Sequence, residues 1–526
     1  MAALSADGPR PPIALVGFMG AGKTRAGRGA ATVLGEPFHD SDAEVERELG
    51  APPPEVFAER GEAVFRETEE RVALELLEGG GVVALGGGAI ESARVREALA
   101  DTFCVWCRIS EEAAWERCDP DERPLAQDRA EFSRRFEQRA PLYEQVARGF
   151  LTDGGERVGR LAAPWLRAAA GLEARLAWGA SASGEYPAIV GAGALGALDE
   201  VVRTSAEANG SGPGLPGRWF AVADRAALEP HSGLLSAVEA TIAVEGGEER
   251  KTLSEAERVL RELAAAGARR DDGVLAFGGG VVGDLAGFCA ATYQRGVPVI
   301  QAPTTLVAQV DSAYGGKTGV DLPEAKNYAG AYHMPAAVLT DPSILATLPA
   351  SELAAGFAEV VKTALIAGGA LWEEVRALGS LDPEGLGEVI FACARTKLDV
   401  VASDERDSGR RQVLNLGHTV GHAIEQASGY GRYRHGEAVA LGLLAALRLS
   451  EADELRTEVA ELLERHGLPA SLDPGVDVDA VLGALARDKK ADAEGVPFVL
   501  LERPGEPITG QRLDAGMVRS AVEELV

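Results

Sequence analysis

Short apolar runs alternate with longer amphipathic stretches through the first third of the chain, the pattern of a parallel sheet whose strands are joined by helices. Ile13 to Val16 reads as a strand, a glycine-rich turn follows, and a helix runs on from Lys23. Val82 to Leu85 is a second buried strand ending in Gly86-Gly87-Gly88, and Thr102 to Ile109 is another. A helix rich in Ala, Leu and Arg is predicted from Gly159 to Leu176, and the small residues after Trp178 place a linker at 176–185. From Tyr186 a second α/β unit begins, with strands at Ala188 to Val190, Trp219 to Ala223 and Val274 to Phe277. Glycine and proline are too dense from Asn209 to Gly217 for either regular element, so that stretch reads as a loop. Beyond Pro342 the apolar period becomes 3.6, predicting helices at Ala354 to Ile366, Pro383 to Ala402, Thr419 to Ser428, Glu437 to Ser450 and Glu454 to Arg465. The expected organisation is a parallel-sheet domain over 1–175, an α/β domain over 186–341 and an all-helical domain over 342–526.

Length supports that division, because 526 residues exceed what one hydrophobic core sustains. Hydrophobic residues at 46% and charged residues at 25% describe a soluble globular chain. No apolar run approaches the roughly 20 residues of a membrane span, and the first residues lack the basic and apolar regions of a signal peptide, so a cytoplasmic protein is expected. A formal net charge of -29 argues against nucleic acid or an anionic membrane as partner. Any anionic substrate must then be gripped by local lysines and arginines. Five cysteines make no disulfide framework, and Cys104-Val-Trp-Cys107 lies in a predicted buried strand, which reads as structural rather than redox-active.

Gly17-Phe-Met-Gly20-Ala21-Gly22-Lys23-Thr24 matches GxxxxGK[ST] between a predicted strand and helix, the context that makes a P-loop. Backbone N–H groups turn inward on phosphates, Lys23 adds a point charge, and Thr24 offers a ligand for the Mg²⁺ that accompanies ATP. Further along stand Asp40-Ser41-Asp42, Phe65-Arg66 with Glu69, the triple glycine, Arg123-Pro124-Leu125 and Arg139-Ala-Pro-Leu-Tyr143. In that order they resemble shikimate kinase across residues 10 to 170. The resemblance implies that Asp42, Arg66, Gly87, Gly88 and Arg139 hold shikimate, the arginines pairing its carboxylate and Asp42 serving as base for the attacking hydroxyl. It also implies that Asp40 helps hold Mg²⁺ and that Arg117 and Arg123 reach ATP with Gly20, Ala21 and Gly22. Phosphoryl transfer rests on positioning and charge neutralisation, so Lys23, Mg²⁺ and Arg123 are expected to carry the rate.

The other concentration of chemistry is the histidines. Three of seven fall between His418 and His435, and His418 and His422 share a helix face. Such pairs serve as ordinary surface or capping residues as well as metal ligands; the third histidine and the upstream Glu359 and Lys362 favour a metal centre with an open position. Phe277-Gly278-Gly279-Gly280 ends a predicted strand, a turn able to admit a pyrophosphate. The run from Pro303 to Asp321, then Lys326-Asn327, is dense in amide and cationic groups that suit a phosphorylated polyhydroxy substrate.

Across residues 186 to 520 these features resemble 3-dehydroquinate synthase. The family converts 3-deoxy-arabino-heptulosonate 7-phosphate to 3-dehydroquinate, using NAD with no net redox change. The resemblance implies Zn²⁺ or Co²⁺ on Glu359, His418 and His435, and puts His422 on the substrate side. It implies NAD contacts from Glu248, Lys251, Gly279, Gly280, Asp284, Thr304, Thr305, Lys317, Lys326 and Thr347. For the heptulosonate phosphate it implies Arg295, Asp311, Lys317, Asn327, Lys362 and Lys397, with Arg411, Asn415, His422, Lys489 and Lys490. Among these Lys317, Lys362, Arg411 and His422 are the expected catalytic groups. The chain is thus read as a bifunctional enzyme of aromatic biosynthesis acting on small molecules, with a homodimer through the synthase module as an accompanying expectation. Two rivals remain: cyclisation of another sugar phosphate, and a P-loop domain that only senses nucleotide.

Overall fold

Buried β-branched and small apolar residues build the sheets of the computed structural model, which describes residues 10–118, 128–152, 154–207, 214–429, 431–487 and 496–526. Two compact units result, Met1–Gly179 with Tyr186–Gly217, and Ala180–Glu185 with Arg218–Val526. In the first, strands β1 (Ile13–Val16), β2 (Phe38–Asp40), β3 (Val82–Ala84), β4 (Phe103–Arg108), β5 (Gly149–Thr152), β6 (Arg175–Ala180) and β7 (Glu185–Val190) stand in the order β2-β3-β1-β4-β5-β6-β7. The pairs from β2 through to β6 are parallel. Register sets Leu15 and Asp40 each opposite Ala84, so the turns leaving β1, β2 and β3 open on one carboxyl edge. In open parallel sheets that edge is where ligands bind.

The predicted helix from Gly159 spans Glu156–Gly171, and its continuation turns away through Glu173, whose φ is +54°. Residues 176–185 are correspondingly not a linker. Leu176, Trp178 and Tyr186 are buried in β6 and β7, and the small residues between form a tight turn in which the Ser181 N–H donates to the Gly184 carbonyl at 2.8 Å. Residues 186–217 group with the first unit, their apolar strand lying beside β6.

In the second unit β8 (Trp219–Asp224), β9 (Ala240–Val244), β10 (Gly273–Gly278), β11 (Val299–Pro303) and β14 (Ala337–Thr340) form a parallel sheet ordered β14-β11-β10-β8-β9. Gly278 stands opposite Pro303, which brings the glycine turn and Thr304-Thr305 to one edge. Strands β12 (Lys317–Leu322) and β13 (Ala325–Tyr332) make an antiparallel hairpin. The C-terminal region is helical except for a second antiparallel hairpin, β15 (Phe498–Leu501) and β16 (Pro507–Gln511), so an all-helical third domain is corrected to that extent. All five predicted helices of this region are present, at Ala350–Ala367, Gly387–Ser403, His418–Ala427, His435–Leu449 and Asp453–Arg465. No helix among the described residues is long and apolar enough to cross a membrane.

Candidate functional site

The phosphate cradle is a local construction. Gly20 and Gly22 have φ of +79° and +80°, and a side chain at Gly22 would overlap the Gly154 carbonyl, so glycine alone fits this loop. Gly22 caps the Lys23–Leu34 helix without a side-chain cap, leaving the first amides for an anion. The Lys23 ammonium donates to the carbonyls of Gly17 at 2.9 Å and Phe18 at 3.1 Å, which holds its charge over the loop. Thr24 donates its hydroxyl to Asp40 Oδ2 at 2.7 Å, joining the two oxygens expected at Mg²⁺. Arg117 ends the Glu111–Arg117 helix with its Cβ in van der Waals reach of Gly20, whereas Arg123 lies outside the described residues.

Asp40 also caps the Ser41–Leu49 helix, accepting from the Asp42 N–H at 3.1 Å, and buried Ser41 accepts the Gly86 N–H at 2.8 Å. These bonds lock the end of β2 to the triple glycine. Side chains at Gly86 and Gly88 would collide with Asp42 and with the Arg66 guanidinium, so Asp42, Arg66, Gly87 and Gly88 share one pocket. Arg66 pairs with Glu69 at 2.6 Å; burial pushes the Glu69 carboxyl up, and Arg66 only partly offsets it. Arg139, 1% exposed, donates Nε to Glu91 at 2.9 Å and leaves Nη2 buried without a protein partner, while Tyr143 donates its hydroxyl to the Gly87 carbonyl at 2.6 Å. A buried guanidinium with an unspent donor suits a carboxylate ligand. Glu69 stands beside Arg66 in the sequence motif without a role of its own, and Glu91 was absent from the predicted set, marked only by its arginine partner.

Cys104 and Cys107 are unpaired and fully buried on β4, where burial pushes the Cys107 thiol up to about 12. That is a packed strand and not a redox pair.

In the second unit Gly279 caps the Gly280–Thr292 helix with no side-chain cap, and Thr305 packs its methyl against Gly279. Lys251, 3% exposed, gathers the surrounding polar groups. Its ammonium donates to Asn327 Oδ1 at 2.8 Å and Asp284 Oδ2 at 3.3 Å, and pairs with Glu248 at 3.0 Å and Asp321 at 3.9 Å. Lys326 reaches Glu248 at 3.9 Å. Burial raises the Asp284 carboxyl to about 6 against the opposing pull of Lys251. Asn327, expected with the substrate set, thus sits with the NAD set, held at φ +54° by its N–H donating to Asp321 at 2.6 Å. Thr304 is buried, and Thr347 hydrogen-bonds His231 at 2.8 Å.

A buried ionic chain forms the heart of this unit. Lys397 donates to Asp311 at 2.6 Å, Lys362 reaches Asp311 at 3.5 Å and Glu359 at 2.5 Å, and Glu359 Oε1 faces His418 Nε2 at 3.4 Å and His435 Nε2 at 3.3 Å. Gly436 makes this convergence feasible, because any side chain there would overlap the Ala355 carbonyl on the helix that carries Glu359. Burial would raise Asp311 and Glu359, but the ammonium groups of Lys362 and Lys397 hold Asp311 far down, and Lys362 with His418 holds Glu359 well below the carboxylate range. Burial lowers Lys362 too, yet Asp311 and Glu359 outweigh it and keep it charged. Burial depresses His418, and its Nδ1 lies 3.2 Å from the Leu416 carbonyl, which selects the tautomer whose Nε2 lone pair faces Glu359. Two imidazole nitrogens and a carboxylate oxygen within 4.8 Å of one another are a borderline-soft donor set with the composition of a zinc site.

Other expected substrate residues are placed differently. Arg411 is buried and donates to the carbonyls of Glu405 at 2.6 Å and Gly315 at 3.2 Å. Lys317 pairs with Asp407 at 2.6 Å on the 404–409 loop, Asn415 donates to the Gln412 carbonyl at 3.1 Å, and exposed Arg295 lies past the far end of the Gly280–Thr292 helix from the glycine turn. His422 is exposed, its ring centroid 5.2 Å from that of His418. Lys489 and Lys490 lie outside the described residues. Asp407 was missed in the sequence, and Glu425, seven residues beyond His418 in the histidine motif, was given no role there; it lies 3.5 Å from His435 Nδ1.

A P-loop with an acceptor pocket, and a glycine-turn sheet edge with a histidine–carboxylate centre, define a two-function metabolic enzyme, a transferase and a lyase in one chain. Residues 19–168 match the family model of shikimate kinase, residues 241–355 the 3-dehydroquinate synthase N-terminal model and 356–491 its C-terminal counterpart. A 3-dehydroquinate synthase of Symbiobacterium thermophilum is 42% identical over 360 residues, 65% of this chain and 98% of the relative. The chain therefore belongs to the 3-dehydroquinate synthase family, with a shikimate kinase domain on its N-terminal side, and is a bifunctional shikimate-pathway enzyme. Among solved structures, 2-deoxy-scyllo-inosose synthase complexed with carbaglucose-6-phosphate, NAD⁺ and Co²⁺ is 25% identical with TM-score 0.59, covering 67% of this chain and all of the other. The 2-epi-5-epi-valiolone synthase of Streptomyces hygroscopicus, with NAD⁺ and Zn²⁺ bound, is 27% identical with TM-score 0.55, covering 59% and 91%.

Proposed function

We propose that the first unit transfers the γ-phosphoryl of ATP to shikimate, and that the second converts 3-deoxy-arabino-heptulosonate 7-phosphate to 3-dehydroquinate with release of phosphate. The observation that carries the second assignment is the buried chain Lys397–Asp311–Lys362–Glu359 ending on two imidazoles. Two ammonium groups beside a Lewis-acid site suit a substrate that carries phosphate, carboxylate and vicinal hydroxyls.

In the kinase, Arg66 and Arg139 take the shikimate carboxylate, Gly87 and Gly88 leave room for its ring, and Asp42 accepts the proton of the attacking hydroxyl. Lys23 and the P-loop amides hold the β- and γ-phosphates, and Thr24 with Asp40 holds Mg²⁺, which neutralises charge on the transferring group. Arg117 and Arg123 complete the ATP site.

In the synthase, Glu359, His418 and His435 would hold Zn²⁺ or Co²⁺, which would supply Lewis-acid polarisation of substrate hydroxyls. Glu248, Lys251, the Gly279–Gly280 amides, Asp284, Thr304, Thr305, Lys326 and Thr347 would seat NAD, which would supply transient oxidation with no net redox change. Lys362 and Lys397 hold anionic oxygens of the substrate while Asp311 keeps both ammonium groups oriented. Arg411, through the Nε that no described residue engages, completes the substrate contacts with Asn415, Lys489 and Lys490, and exposed His422 exchanges protons with the substrate.

The deciding experiment offers the purified chain NAD and zinc with the heptulosonate 7-phosphate, sedoheptulose 7-phosphate or glucose 6-phosphate in turn, and follows phosphate release and product identity. Dehydroquinate from the first substrate alone, abolished by a chelator, is expected. Turnover of glucose 6-phosphate or sedoheptulose 7-phosphate would move the second unit toward the sugar-phosphate cyclases it resembles in fold. A parallel ATPase assay should respond to shikimate; turnover indifferent to it would leave the first unit a nucleotide sensor.

A further inference from the structure

The three residues proposed to hold the metal are not supported alike. His418 is fixed by a neutral backbone carbonyl, Leu416 O, at 3.2 Å from Nδ1. Among the described residues no backbone carbonyl takes that part at His435. Its Nδ1 lies 3.5 Å from Oε1 of Glu425, while its Nε2 lies 3.3 Å from Glu359 Oε1, so the ring stands between two carboxylates. Glu425 is 6% exposed, on the His418–Ala427 helix, and its carboxylate also lies among the charges of His422 and Lys326. A carboxylate kept in so buried a place needs a partner, and the His435 ring is the ion-pair partner it has among the described residues.

We infer that Glu425 is a positioning residue for the metal centre: it accepts the Nδ1 proton of His435, directs the Nε2 lone pair at the ion and raises the donor strength of that imidazole above that of carbonyl-backed His418. This inference rests on the metal-centre reading given above. A carboxylate behind a ligating histidine both orients the ring and increases its basicity, and loss of such a partner costs about 10- to 100-fold in metal affinity. Once Glu425 is replaced, the ion is expected to be lost through the His435 side first. Replacement of Glu425 should therefore change how tightly the ion is held, while the metal-free fold and its NAD site stay as they were.

The test uses the full chain, loaded with Zn²⁺ or Co²⁺ and measured without substrate. Glu425→Gln keeps shape and removes charge; it is expected to release zinc to a competing chelator about 10- to 100-fold more readily, and to alter the visible spectrum of the Co²⁺ form. Glu425→Asp, which keeps the charge on a shorter stem, should recover part of the affinity. His418→Ala serves as the reference and should abolish stoichiometric binding. Wild-type retention and an unchanged Co²⁺ spectrum in Glu425→Gln, with binding lost in His418→Ala, would overturn the role of Glu425 alone. Wild-type metal content in His418→Ala would overturn the metal centre itself. Melting of the metal-free forms separates both results from misfolding, and should Glu425→Gln fail to fold, the comparison of Glu425→Asp with wild type decides: equal retention overturns the inference.

Discussion

The two reaction centres are built by different means. At the P-loop a run of eight residues, Gly17 to Thr24, supplies backbone amides, lysine and hydroxyl together, and the acceptor pocket needs only Asp42, Arg66, the triple glycine and Arg139 brought to one sheet edge. At the metal cluster only Glu359 and Lys362 share a helix; Asp311, Lys397, His418 and His435 come from other places along the chain and join them because the elements pack closely. A cradle of backbone atoms tolerates changes in surrounding side chains. A relay of buried charges does not, because removing one member leaves its neighbour charged and unpaired.

The sharpest way to break that comparison is to strike each centre and read both activities. His418→Ala, or chelation, should lower dehydroquinate formation by at least about 1,000-fold, the several kcal/mol attributable to a Lewis acid, and leave ATP-dependent phosphorylation of shikimate intact. Lys23→Ala should cost the kinase about 100- to 1,000-fold in kcat without altering phosphate release from the heptulosonate substrate. If either variant abolishes both activities, the centres are not independent.

Within the kinase, Arg139→Lys keeps the charge but removes the fork whose Nη2 stands unspent, and should raise the shikimate KM about 10-fold with a smaller change in kcat. An unchanged KM would mean that the carboxylate is held elsewhere.

A smaller effect tests the Lys251 cluster. Asp284 is raised to about 6, above the ordinary aspartate value near 3.9. Between those two values the native state binds a proton that the unfolded chain has already released, so this group's contribution to stability falls as pH rises from about 4 to about 6 and stays low above. Asp284→Asn should accordingly gain on wild type in melting temperature, without NAD, as pH increases through that window; a difference independent of pH would refute the raised value. The smallest expected effect is at the buried thiol: Cys107→Ala should cost about 1 kcal/mol of stability, seen as a modest shift in denaturation midpoint, with no change in metal content or in response to reductant.

Much of the fold was legible because the features involved are local. The four residues of β1, the P-loop and the five C-terminal helices follow from apolar period and glycine placement, and they appear where expected. The misreading at 176–185 has a physical cause: Gly179-Ala-Ser-Ala-Ser-Gly184 has the composition of a flexible linker, and only the burial of Leu176, Trp178 and Tyr186 on either side makes it a hairpin turn. In the site, residue types were legible and partners were not. Lys317 and Arg411 were expected to face substrate, yet Lys317 pairs with Asp407 and Arg411 spends donors on two carbonyls.

Sequence by itself determined that this chain carries a P-loop followed by the arginines and triple glycine of its first unit, and a second module with a histidine–glutamate cluster and a glycine turn. The cradle and the glycine turn reside in contiguous motifs whose backbone geometry admits few residues, and the rest is a set of short motifs whose order along the chain carries the resemblance. Tertiary structure alone decided that Asn327 joins Lys251, that Glu91 accompanies Arg139, and that Glu425 stands behind His435. Charge pairing depends on a few ångströms between elements far apart in the chain, and that distance is set by packing.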